Sequence, residues 1–416
     1  MNETKPFNIS KQLVMQAYKL VKRNKGAAGI DQQSLEEFDE NLKDNLYKLW
    51  NRMASGSYFP PAVRAVEIPK KQGGKRTLGI PTVADRIAQA VVKLIFEPLV
   101  EPYFHQDSYG YRPNKSALEA VGITRERCWK YDWVLEYDIK GLFDNINHEL
   151  LMRAVRKHTT NKWVILYIER WLKAPMQDIK RNLIERTCGT PQGGVISPVL
   201  SNVFLHYVFD AWMTRYYLDV PWCRYSDDGL MHCRTEQEAQ QMMEAIKQRF
   251  EECKLELHPE KTKIIYCKDR KRKGDQKNTK FDFLGYTFRP RAVKDTRKNE
   301  VFLGYGPGVS NKALTSMRER IKKSGFGRRT EISLNEIAEQ YNPIIQGWIN
   351  YYGKFTKSAM NKIFRYFNQT LVKWAMHKYR KFKRHKTRAS NFIENIKKRE
   401  RNLFVHWKYG NESWFA

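Results

Sequence analysis

Apolar positions along this chain follow two different periods, and the change between them orders its parts. Leu13, Ala17, Leu20 and Val21, then Leu42, Leu46, Leu49 and Trp50, recur at helical spacing across residues 9–53. The stretch Asn24-Lys25-Gly26-Ala27-Ala28-Gly29-Ile30-Asp31 interrupts them. Short strands are predicted at 62–69 and 77–80 around the cationic turn Lys70-Lys71-Gln72-Gly73-Gly74-Lys75-Arg76. Helices follow at 85–100 and from about Ala117, after the basic aromatic loop Ser108-Tyr109-Gly110-Tyr111-Arg112-Pro113-Asn114. A buried strand spans 133–139, with helices near 148–157 and 161–172, and a glycine loop at 189–198 opens a helix running through Phe209.

Two apolar runs, 220–223 and 230–233, flank Arg224-Tyr225-Ser226-Asp227-Asp228-Gly229 and predict a tight hairpin with Asp-Gly at its turn. A helix at 236–253 and strands at 255–257 and 263–266 complete a strand–helix–hairpin–helix–strand alternation, a split βαβ sheet of ferredoxin-like outline. Residues 268–280 read as a flexible basic surface loop, and 281–288 as one aromatic strand. From about Lys312 the pattern is wholly helical and includes the basic run 377–388. The fold class expected is α+β.

At 416 residues, with 41% hydrophobic and 13% aromatic residues, the chain has material for two or three packed domains. Its 75 Lys and Arg against 45 Asp and Glu leave a net charge of +30. Cations interleaved with aromatics suit a polyanion whose bases are stacked upon, hence nucleic acid. No long apolar run or lipidation motif supports a membrane surface instead. The six cysteines form no Cys-x-x-Cys pair, which points to a reducing, cytoplasmic compartment and to thiols used as small buried hydrophobes.

Adjacent carboxylates repel, and Asp227 beside Asp228 is either an ordinary surface turn or a pair meant for divalent cations. Were the strand end at Asp138 to lie beside that turn, three hard oxygen donors would suit two Mg²⁺ ions, with Mn²⁺ as a substitute. Such a pair of ions serves phosphoryl transfer to a 3′-hydroxyl, one at the attacking oxygen and one at the leaving pyrophosphate. The cationic turn with Lys70 and Arg76 is either a solvated loop or a lid that grips phosphate, in which case the two residues supply positive charge to a triphosphate. Phe143 either packs in the core or stands under a sugar and excludes a 2′-hydroxyl. Gln192 in Pro191-Gln192-Gly193-Gly194 either bonds its own backbone or contacts a nucleotide or template.

These blocks closely resemble the reverse transcriptases encoded by bacterial group II introns, the intron maturases. The resemblance runs through Gly26–Ser34, Val66–Lys70 with Arg76–Arg86, Tyr109–Ala117, Glu136–Leu150, Gly189–Asn202, Arg224–Gly229, Leu255–Ile264 and Phe281–Phe288 to Tyr341–Tyr352. It implies a right-hand polymerase with fingers and a ferredoxin-like palm, followed by an all-α thumb. The boundaries expected are 1–130 for N-terminal extension and fingers, and 131–300 for the palm, with part of 155–195 returning to the fingers. The thumb, or maturase-specific domain, follows at 301–375 and a basic nucleic-acid-binding appendage at 376–416. By this resemblance Asp138, Asp227, Asp228 and the Ile139 carbonyl hold metal, and Lys70, Arg76, Phe143 and Gln192 bind the nucleotide. Tyr225, Ser226, Arg112, Lys261, Leu284 and Gly285 meet primer and template. The partners implied are an RNA template, a DNA or RNA primer, dNTPs and group II intron RNA; oligomeric state is left open.

Two features depart from the family pattern. Ser226 stands where Ala is usual, and the sequence ends at Ala416 without a Cys/His-bearing endonuclease module, resembling the endonuclease-lacking branch. Two alternatives remain beside an intron-borne polymerase: a free-standing reverse transcriptase in host repair or defence, and an RNA-binding splicing cofactor with dispensable polymerisation.

Overall fold

The computed structural model describes residues 5–69, 75–295 and 299–409. Its strands are β1 (Val63–Pro69), β2 (Lys75–Ile80), β3 (Trp133–Asp138), β4 (Met176–Gln177), β5 (Leu183–Ile184), β6 (Trp222–Tyr225), β7 (Asp228–Cys233), β8 (Lys263–Tyr266), β9 (Phe281–Phe283), β10 (Tyr286–Asp295) and β11 (Glu300–Val309). The chain forms two compact units, Met1–Ser116 with Leu135–Lys263, and Ala117–Val134 with Ile264–Ala416. β3 is thus shared at its second residue. The whole is mixed α/β with a helical C-terminal part.

In the first unit the helix Val83–Val100 is buried along most of its length. Thr82 caps it by accepting from the Asp85 N–H. The Asp85 carboxyl is sealed inside, and burial pushes its pKa up. Tyr58 Oη and Trp171 Nε1 each donate to it at 2.7 Å, and Gln89 Nε2 at 2.9 Å, so the buried acid is satisfied. Gln89 Oε1 in turn accepts from the Val195 N–H at 2.7 Å, which fixes the glycine loop against this helix. One sheet has the order β2-β1-β4-β5. The other has the order β6-β7-β3-β8, with the first strand of the alternation between the third and the fourth. The helix opened by the glycine loop outruns its expected end: Ser197–Leu205 continues through a π-helical turn, His206–Asp210, into Ala211–Tyr216.

In the second unit, β9, β10 and β11 make an antiparallel sheet, and four helices follow: Asn311–Ser324, Leu334–Tyr352, Asn361–Lys378 and Lys386–Arg399. A Ser333–Glu336 capping box starts the second of these. Phe326, Tyr341, Phe367, Trp374, Phe404 and Trp407 belong to one buried cluster that includes residues well beyond 376. Lys378 Nζ donates to the carbonyls of Thr330 and Ile332 at 3.0 and 2.7 Å, so the start of the basic run is tied to this unit.

Three local expectations are corrected. The single aromatic strand at 281–288 is a hairpin: Phe283 pairs with Tyr286, and Leu284–Gly285 form its turn at φ 50° and 80°. The basic loop 268–280 is pinned, because Arg272 is buried and donates to the carbonyls of Cys128 and Tyr131 at 3.0 and 2.8 Å. Five cysteines are buried, but Cys188 is exposed. No helix among the described residues is long and apolar enough to cross a membrane.

Candidate active site

β6 and β7 pair with Tyr225 opposite Asp228 and Arg224 opposite Gly229. The two-residue turn is therefore Ser226–Asp227, two residues earlier than the Asp228-Gly229 dipeptide suggests. Ser226 takes φ 60°, the left-handed backbone that the first position of a primed hairpin turn demands. Gly229 lies inside β7, where a Cβ would collide with the Tyr137 ring of β3. Its missing side chain admits a neighbour and leaves the turn to Ser226.

That arrangement brings the three acids together. β3 lies beside β7, and the Ile139 N–H donates to the Asp227 carbonyl at 3.3 Å, tying the end of β3 to the turn. The Asp138 carbonyl accepts from the His258 N–H at 2.8 Å, and its side-chain Oδ2 accepts from Lys261 Nζ at 2.9 Å. Asp228 is exposed, with the other two acids close by. Loss of surrounding water, then the charges of Asp227 and Asp138 and a hydrogen bond to Asp138, push its carboxyl up to about 7. Burial first, and Asp138 after it, also raise Asp227. The cluster is thus short of positive charge, with Lys261 as one protein cation against it. Among the described residues, no group of three or more His, Cys, Asp or Glu side chains is arranged to hold an ion unaided.

Beneath the turn, Arg224 is fully buried; its Nη2 donates to Ser108 Oγ at 2.7 Å and its Nη1 to Asn202 Oδ1 at 3.2 Å. Asn202 Nδ2 continues to the Gly110 carbonyl at 2.8 Å. Sequence reasoning assigned Arg224 no role. The available signal was an arginine inside a buried strand, which requires a buried acid.

Facing the acids, Arg76 Nε donates to Gln192 Oε1. Phe143 is 7% exposed, and the Tyr111 ring meets it edge-on at 6.3 Å. Tyr111, at φ 59°, keeps 49% of its surface exposed. Burial of the phenol raises its pKa, the Asp227 charge adds to this and the Arg76 charge opposes it, so Tyr111 stands within the field of both. Sequence reasoning had left Tyr111 in an aromatic loop without a function. Arg112 is turned inward, its guanidinium taken up by Glu101 at 2.7 Å and by the carbonyls of His105 and Ser108. Lys70 lies outside the described residues. In the second unit, Tyr351 Oη donates to the Leu284 carbonyl at 2.9 Å and holds the Leu284–Gly285 turn.

Residues 68–288 match the family model for reverse transcriptase (RNA-dependent DNA polymerase), and residues 314–391 match that for the group II intron maturase-specific domain. Protein YkfC of Escherichia coli is 32% identical over 306 residues, 61% of this chain and 77% of that protein. The group II intron-encoded protein LtrA of Lactococcus lactis is 35% identical over 193 residues, 46% of this chain and 32% of LtrA. A putative COX1/OXI3 intron 1 protein of Saccharomyces cerevisiae is 30% identical over 204 residues, 49% of this chain and 24% of its own length. The chain thus spans most of YkfC but a third or less of the other two. The first match covers more than half of the chain, in the part that holds the three aspartates, Arg76, Phe143 and Gln192. The chain belongs to the reverse transcriptase (RNA-dependent DNA polymerase) family, as a member that carries a group II intron maturase-specific domain.

Proposed function

We propose that this protein extends a DNA or RNA primer on an RNA template with dNTPs and also binds group II intron RNA, assisting its splicing and retromobility. The observation that carries the reading is the meeting of Asp138 and Asp228, with Asp227 beside them, at the end of β3 and the β6–β7 turn. The order β6-β7-β3-β8 supports a ferredoxin-like palm, with fingers before it and around β1 and β2, and a helical thumb in the C-terminal part.

The donor set is all carboxylate and short of positive charge, which fits Mg²⁺. Asp138, Asp227 and Asp228, with the Ile139 carbonyl, would hold it; two ions would draw their remaining ligands from substrate phosphates. When bound, the metal supplies Lewis acidity at the attacking hydroxyl and the leaving pyrophosphate. The chain's own groups do the rest. Arg76, with Lys70, receives the triphosphate, and a guanidinium matches phosphate oxygens in pairs. Phe143 and Tyr111 wall the sugar side. Gln192 faces the nucleotide. Lys261 neutralises Asp138 until substrate arrives. Tyr225 and Ser226 border the primer and template; Arg112, turned inward onto Glu101 and the His105 and Ser108 carbonyls, supports the loop beside them without touching either strand. The Leu284–Gly285 turn of the second unit grips the primer.

Primer extension on an RNA template with Mg²⁺ tests this directly. The intact chain should incorporate dNTPs, and Asp227→Ala should reduce the rate by roughly a thousandfold or more, a loss of about 4 kcal/mol of transition-state stabilisation. Extension by Asp227→Ala at the parent rate would end the assignment.

A further inference from the structure

Gln192 is held at three points that the polymerase reading does not itself require. Its carbonyl accepts from the Gly79 N–H of β2 at 2.9 Å. Its Nε2 donates to both carboxylate oxygens of Asp144, at 3.1 and 3.0 Å. Its Oε1 accepts from Arg76 Nε. The side-chain amide therefore lies between a group that only accepts and one that only donates. Only one orientation satisfies both. Turned over, it would set NH₂ against the guanidinium and oxygen against the carboxylate.

The segment bearing Asp144 is fastened to the glycine loop that bears Gln192. The Thr190 N–H donates to the Phe143 carbonyl at 2.7 Å, and the Gly189 N–H to the Ile146 carbonyl at 2.8 Å. Gly189, at φ 79°, passes so close that a Cβ would lie 2.6 Å from the Asp144 carbonyl oxygen and 2.8 Å from that of Phe143. Asp144 itself is exposed, and its carboxylate is occupied by the Gln192 amide.

We infer that Asp144 is a positioning residue for nucleotide binding: it fixes the Gln192 amide with its oxygen toward Arg76, and through it sets the fingers guanidinium over the pocket. The inference rests on the proposed polymerase function, in which Gln192 and Arg76 meet the incoming nucleotide. The bland alternative is a solvated acid in an ordinary surface hydrogen bond. That would alter neither nucleotide affinity nor the effect of substitutions at Gln192.

The test is steady-state dNTP incorporation by the full chain carrying Asp144→Ala, Asp144→Asn, Gln192→Ala, Arg76→Ala and the Asp144→Ala/Gln192→Ala double substitution. The two Asp144 variants should melt within a few degrees of the parent, since the lost contacts are exposed. In Asp144→Ala the KM for dNTP should rise about tenfold, the worth of a charge-assisted hydrogen bond, with kcat falling less than KM rises. Asp144→Asn keeps the shape but both donates and accepts, so it no longer selects one orientation and should behave more like Ala than like Asp. In the double variant the Asp144 substitution should add nothing to Gln192→Ala. A raised KM in Gln192→Ala with no change in either Asp144 variant overturns the inference and leaves the polymerase reading intact, as do additive effects in the double variant. Unchanged KM in Gln192→Ala and Arg76→Ala as well overturns the nucleotide-pocket reading.

Discussion

Arg224 and Asp210 form a two-point ion pair with no solvent exposure on either side chain: Nε meets Oδ1 at 2.9 Å and Nη2 meets Oδ2 at 2.8 Å. The pair lies directly beneath the turn that carries Asp227. Removing two charges from water is costly, so the pair adds little net stability, whereas breaking it strands a buried charge. We expect Arg224→Met to lose about 3–5 kcal/mol in urea unfolding, and Arg224→Met with Asp210→Leu to recover most of that. The double variant should still extend primers more slowly than the parent, because the bonds from Arg224 to Ser108 and Asn202 are gone. Full recovery of both stability and rate would show that the pair has no part in holding the turn.

Gly229 gives a sharper check on the packing of the acids. An added methyl at this position meets the Tyr137 ring, which is buried against Phe209 and Phe250 at 5.2 and 5.9 Å and has no room to retreat. Gly229→Ala should cost about 1–3 kcal/mol and slow extension, since Asp228 is the next residue on the same strand. Adding Tyr137→Leu clears the ring and should restore much of the melting temperature. If Gly229→Ala is as stable and active as the parent, the close approach is not what requires glycine.

Phe143 and Tyr111 meet edge to face at 6.3 Å, one ring buried and the other half open. If they wall the sugar side, Phe143→Ala should lower the preference for dNTP over the matching rNTP by about 10–100-fold in kcat/KM. Tyr111→Ala should lower it less, because its ring stands against Phe143 at the open side. Melting curves separate this from simple loss of packing. Unchanged discrimination in Phe143→Ala would return that ring to the core.

Much of this was legible because periodicity and chemistry agreed. The apolar runs around Tyr225–Asp228 mark a hairpin, and the acid at the end of 133–138 sits where a neighbouring strand would deliver it. The misplacements have physical causes. Asp-Gly is the commoner turn dipeptide, but Gly229 is required by Tyr137, a contact between strands that no local pattern reveals. In 281–288 the buried aromatics change parity, from Phe281 and Phe283 to Tyr286 and Phe288, and that shift is the trace of the Leu284–Gly285 turn. Asp210 was illegible because its partner Arg224 lies on another element, fourteen residues on, and that contact leaves no local pattern. Tyr111 gains its place from a positive φ, which a tyrosine's identity does not announce.

The second unit carries a pH dependence of its own. His406 is fully enclosed, its Nε2 donating to Asn368 Oδ1 at 2.7 Å, and Trp407 Nε1 donates to the same oxygen at 3.1 Å. Burial, with the nearby Lys397 charge, lowers its pKa from 6.5 to about 3. Below 6.5 the unfolded chain takes up a proton that the folded chain refuses until about 3. Stability from neutral His406 is therefore complete above 6.5 and drains away as pH falls toward 3. At pH 5 the loss is on the order of 2 kcal/mol. We expect urea unfolding of the intact chain to show this loss between pH 7.5 and pH 5, and His406→Gln, which keeps an amide donor for Asn368, to flatten it. A slope that persists in His406→Gln would assign the acid sensitivity to other groups.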